Sequence, residues 1–115
     1  MSKLAKKILA AREVEVEVGG WVFIARRPDA MSSTQWIGLD AKELAEKILG
    51  ECVVGWKNVL ERELLPGGSD LPLEFDAEDF VVWSRDRPEI WGPVTEAVIA
   101  AVQAWSERIE AGRKN

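Results

Sequence analysis

The sequence predicts an α+β domain: a small β-hairpin over about residues 13–27, packed with four or five helices, and a helix-rich C-terminal half. Three observations predict it. Glu13-Val14-Glu15-Val16-Glu17-Val18 alternates strictly at period two, as strand side chains do. Gly19-Gly20 then separates it from a second extended run, Trp21-Val22-Phe23-Ile24-Ala25-Arg26. Near the other end, Val94, Val98, Ala101, Val102, Trp105 and Ile109 follow the spacing of one helix face. The 115 residues are 47% hydrophobic and 30% charged, enough for one core over residues 1–115 and too apolar for a disordered chain.

Residues 3–12 read as a short basic helix or arm, capped by Ser2, with Leu4, Ile8 and Ala11 along one face. So short a helix must dock or fray. The Gly-Gly loop calls for a primed turn, because both residues can take positive φ. That pairs Val18 with Trp21, Val16 with Phe23 and Val14 with Ala25 on an apolar face. The other face pairs Glu17 with Val22, Glu15 with Ile24 and Glu13 with Arg26, and its two apolar residues ask for cover.

Pro28-Asp29 ends the strand, and residues 30–38 are ambiguous before Gly38. Asp40 then caps a helix with Glu43 at N3, and Leu39 and Leu44 form its staple. Leu44, Ile48 and Cys52 continue the stripe, and Gly50 is placed to end the helix. Residues 52–60 read as helix end or strand, with Val53-Val54 and Gly55 favouring extended structure. Leu64 to Pro72 has loop composition, and 61–72 is the expected mobile segment. Asp76 caps the next helix, with Phe75 stapling Phe80. Gly92-Pro93 opens the last helix, with Pro93 at N1.

Composition narrows the function. There are six Trp and three Phe but no Tyr and no His. Without His the chain lacks the commonest general base, the commonest zinc ligand and every Ser-His or Cys-His pair. The net charge of −5 disfavours nucleic acid, whose phosphates reward cations. Charge is uneven: Lys3, Lys6, Lys7 and Arg12 stand in the first 12 residues without an acid. That is a solvated helix face or a basic arm for an acidic partner. Cys52 stands alone among apolar neighbours, which reads as a buried inert thiol in a reducing cytoplasm. No run approaches the ~20 apolar residues of a membrane span, and charges interrupt any signal-peptide core. No Gly-rich phosphate loop is present. Asp76, Glu78 and Asp79 are explained by capping and the helix dipole rather than by a metal. The expectation is a non-enzymatic binding or assembly protein with no cofactor.

The tryptophans are the informative residues, because each is a large apolar area seeking cover. Trp21 and Trp105 lie on apolar stripes and read mainly as core. Trp56 and Trp91 sit at element ends, where core and partner-anchor roles compete evenly. Trp36 and Trp83 have no assigned face.

Several segments resemble the tail assembly chaperones of tailed bacteriophages and prophages. Phe23-Ile24-Ala25-Arg26-Arg27-Pro28-Asp29 is similar to that family's strand closing in Arg-Arg-Pro-Thr, with Asp29 in place of Thr. Val53-Val54-Gly55-Trp56-Lys57-Asn58-Val59 resembles its Val-x-Gly-Trp-x-x-Val signature. Leu71-Pro72-Leu73-Glu74-Phe75-Asp76 resembles its lead-in to the next helix. Asp86-Arg87-Pro88-Glu89-Ile90-Trp91-Gly92-Pro93 resembles the lead-in to its last helix, and Arg113-Lys114-Asn115 its end. The resemblance spans about residues 20–115 and fits residues 1–12 poorly.

The resemblance implies a small cytoplasmic protein of virion morphogenesis. Such a protein binds the tape measure protein and helps recruit the major tail tube protein, with self-association left open. The candidate partner-binding residues are Trp56, Trp91, Val59, Leu64 and Leu65. The alternatives are a structural tail or head–tail component retained in the virion, or an acidic DNA mimic. Lys42, Lys47, Arg62, Arg85 and Arg87 interrupt the acids and weigh against mimicry.

Overall fold

A computed structural model describes residues 1–113. The elements run α1 (Lys3–Ala10), β1 (Glu13–Val18), β2 (Trp21–Arg26), α2 (Ala30–Ser33), a 3-10 turn (Thr34–Trp36), α3 (Ala41–Glu51), β3 (Val53–Lys57), α4 (Glu61–Leu64), α5 (Ala77–Ser84) and α6 (Pro88–Arg113). The chain is an α+β domain with a helix-rich C-terminal half. The end segment noted above continues into Lys114 and Asn115, which lie outside the described residues.

The hairpin has the register that its alternation requires, from Glu13↔Arg26 through Val18↔Trp21. Gly19 and Gly20 take φ of 55° and 94°, values that only a residue without Cβ adopts freely. Residues 53–57 form a strand, which completes an antiparallel sheet in the order β1-β2-β3. Gly55 has a steric role there. A Cβ on it would stand 3.3 Å from Ile24 Cδ1.

Val16, Val18, Phe23, Ala25, Val53 and Trp56 are buried on one face of the sheet. The helices supply Ile48, Leu49, Phe80, Trp83, Ile90, Val94 and Val98 to the same core. On the opposite face Val22 and Ile24 are half-buried. Arg26 pairs with Glu13 at 2.7 Å on that face, and Lys57 reaches across β2 to Glu15 at 2.7 Å.

Capping works as the sequence implies. Ser2, Asp40 and Asp76 accept from the N–H groups of Ala5, Glu43 and Asp79. Two helix ends differ from expectation. Helix α3 continues through Gly50 to Glu51, because Ile48, Leu49 and Cys52 are all buried and hold the last turn. Helix α6 starts at Pro88, so Pro88 takes the first helical position and Pro93 lies inside the helix. Burial of Ile90 and a hydrogen bond from the Trp91 indole to the Ser84 carbonyl secure this earlier turn. Pro93 is exposed, where loss of one ladder bond is tolerable.

Residues 61–72, expected as a mobile loop, form a closed loop. An isolated bridge joins Leu60 to Pro72, and the Arg62 N–H donates to the Ser69 carbonyl at 3.0 Å. Glu61 accepts from the Ser69 N–H, and Arg62 pairs with Asp70 at 3.2 Å. The radius of gyration is 15.6 Å, above the ~13 Å of a compact 100-residue domain. The 26-residue helix α6 accounts for part of this elongation, since it is ~39 Å long.

Candidate functional site

The five residues singled out from the sequence do not form one surface. Trp56 is 8% exposed and Val59 1% exposed, so both belong to the core. The reason is the third strand. Pairing of Phe23 with Trp56 turns the indole onto the buried face. There it meets Phe75 edge-on at 5.1 Å and Trp83 at 6.0 Å, and its Nε1–H donates to the Leu73 carbonyl at 2.7 Å. These neighbours leave little of the indole to a partner in this conformation. Leu64 is half-buried against the core. Leu65 is exposed in the closed loop.

Trp91 is different. Its indole N–H is held by the Ser84 carbonyl, yet the side chain is 37% exposed. It lines an apolar groove of about 430 Å³. Helix α3 supplies Ala41, Ala45, Leu49 and Gly50, α5 supplies Val81, and Arg85 follows at the C-cap of α5. Lys42 and Glu46 stand at its charged margin, with Arg85 4.0 Å from Glu46. The small side chains open the groove: nothing lies within 4 Å of a Cβ placed on Gly50. The groove can take apolar side chains presented at helical spacing, with charge at the edge for orientation.

Sequence reasoning missed Ala41, Ala45, Gly50 and Val81. The available signal was the Ala41, Ala45, Leu49 spacing of four, which puts small residues on one face of a helix. That they face Val81 and Trp91 depends on how the helices pack.

The remaining tryptophans sort by neighbour. Trp21 is half-buried and meets Trp83 edge-on at 4.8 Å. Trp83 is central to the core, and its Nε1 has no hydrogen-bond partner among the described residues. Trp36 packs partly against the core. Trp105, expected mainly in the core, is instead half-buried beneath the Arg27 guanidinium, 4.5 Å from its ring centroid.

Burial pushes the Cys52 thiol up to about 11, which leaves it protonated and inert at neutral pH. Among the described residues no group of three or more His, Cys, Asp or Glu is placed to hold a metal ion. No helix among them is long and apolar enough to cross a membrane. Comparison with models of known protein families, with curated proteins and with solved structures finds no match for the chain.

Proposed function

We propose that this chain is a non-enzymatic assembly chaperone of a tailed phage or prophage. It acts in the bacterial cytoplasm and shields amphipathic helices of the tape measure protein until the tail tube is built around them. The observation that carries this reading is the groove at Trp91. It joins an anchored aromatic face to small residues of α3, with charges at its margin. The resemblance of residues 86–93 to the family's last-helix segment supports the same assignment, because Trp91 comes from that segment.

In the proposed mechanism, Leu, Ile or Met side chains on one face of a partner helix enter the groove. Removing apolar surface from water supplies the driving force, at about 25 cal/mol per Å². Trp91 needs little ordering on binding, since its indole N–H is already held. Weak, repeated engagement suits a long client with many similar helical stretches.

The test is a pull-down from cells that co-express the full chain with tape measure fragments, read by mass spectrometry. Capture of amphipathic segments that weakens in Trp91→Ala supports the reading. Equal capture by the parent and Trp91→Ala removes the groove from the account.

A further inference from the structure

We propose that a second cleft, at the open end of the hairpin, binds a carboxylate: an Asp or Glu side chain on an acidic segment of a partner protein. The cleft holds about 400 Å³, and Arg12, Arg26 and Arg27 line it together with Asp29, Trp36 and Glu51. It shares no lining residue with the groove at Trp91, so it stands independently of the function proposed above.

The backbone explains why the cations converge. The Arg27 N–H donates to the Arg12 carbonyl at 3.0 Å, which carries the hairpin one pair beyond Glu13↔Arg26. Arg12 and Arg27 thus stand opposite each other, where like charges repel. Among the described residues neither forms an ion pair. Arg27 is held in place by a bond to the Pro28 carbonyl at 3.1 Å and by the ring of Trp105. Its burial, with Arg12 and Arg108 nearby, lowers its pKa below the ordinary value, and Asp29 offsets this only in part.

The neighbouring charges define the ligand. Arg26 is answered by Glu13 at 2.7 Å, and Glu51 by Lys47 at 3.6 Å. Asp29 caps α2 by accepting from the Ser32 N–H at 2.7 Å. Among the residues that line the cleft, Arg12 and Arg27 therefore face Asp29 with one positive charge in excess, and Arg108 adds to the positive field from outside the lining. A single carboxylate balances the excess of the lining itself, whereas a phosphate dianion sets a second negative charge beside Asp29. The Nε groups of Arg12 and Arg26 are buried without a partner among the described residues, so neither guanidinium fork is saturated. A small turn of the Arg12 side chain, which has no ion pair to break among the described residues, offers that edge to both oxygens of a carboxylate.

The test uses the full ¹⁵N-labelled chain, followed by NMR at the arginine Nε–H groups and the backbone of residues 12, 27 and 36. The probes are acetyl-Glu-Glu-amide, sodium phosphate and sodium chloride at matched ionic strength. Saturable shifts with the peptide, weaker ones with phosphate and none with chloride are expected. Arg27→Gln weakens the peptide about tenfold, the loss of one charge-assisted hydrogen bond, and Arg27→Lys recovers only part of it. Equal responses to all three probes, tighter binding of phosphate, or unchanged binding by Arg27→Gln overturns the proposal. Should circular dichroism show Arg27→Gln unfolded, Arg108→Gln at an exposed position replaces it. A few-fold weakening is then expected, and none contradicts the proposal.

Discussion

Trp56 and Trp91 show how the same side chain serves two ends. Each has its indole N–H tied to a backbone carbonyl, at Leu73 and Ser84 respectively. Trp56 then closes against Phe75, Phe80 and Trp83 and is 8% exposed. Trp91 has helix α3 beside it with no aromatic side chain and with Ala41, Ala45 and Gly50 among the lining residues, and it stays 37% exposed. The difference lies in the facing residues. Aromatic neighbours fill the space beside Trp56, whereas Ala45 and Gly50 leave a groove open beside Trp91. Tying the polar atom of an indole is compatible with either outcome, and the size of the opposing side chains decides between core and surface.

The largest expected effect breaks the core side of this comparison. Trp56→Ala removes a buried aromatic and leaves a cavity, at a cost of about 3–5 kcal/mol. That is a large share of the ~5–15 kcal/mol that holds a domain folded. Chemical denaturation checks it. Trp91→Ala loses a half-exposed ring and one hydrogen bond, so the same experiment should register only about 1–2 kcal/mol. Partner capture should fall much further than stability does. Comparable stability losses in the two variants would show that Trp91 is a core residue after all.

Gly50 sharpens the surface side. It lies inside helix α3, where glycine is a poor helix former, and a Cβ there meets nothing within 4 Å. Gly50→Ala should therefore raise stability by up to about 1 kcal/mol. A thermal melt that moves down instead would show that the helix needs glycine at this position.

The caps give the smallest effect, visible only in acid. Hydrogen bonds from the Glu43 and Ser32 N–H groups hold the Asp40 and Asp29 carboxyls below the ordinary value of 3.8. Their stabilisation is fully present above that value and is lost as pH falls through the lower folded-state values. Denaturation midpoints should fall as pH drops below about 4 and through the lower folded-state values, and the fall should be shallower in Asp40→Ala. An identical pH dependence in the variant would remove the cap from the explanation.

Local chemistry made much of the fold legible. Alternation plus Gly19-Gly20 determines the register of the hairpin, and Asp40 and Asp76 mark helix starts by the bonds they accept. Both signals act within a few residues. The start of α6 was not legible, because Pro88 and Pro93 each suit a first helical position and tertiary burial of Ile90 selects the former. The candidate site was half legible. Trp91 stood out, but Trp56 and Val59 looked equally suitable until the third strand turned them inward. The groove itself depends on the distance between α3 and α5, which no spacing within either helix records.

The central claim is that the groove, rather than tryptophan content in general, holds the client. The most direct measurement compares Gly50→Glu with Gly50→Ala in cells that co-express an insoluble tape measure fragment. The glutamate stands at a position with open space around it that lines the groove, so the fold should persist, while a charge is placed at the groove. The account predicts that Gly50→Ala keeps the fragment soluble and Gly50→Glu does not, with both variants melting no lower than the parent. A folded Gly50→Glu that solubilises the fragment as well as the parent would contradict it.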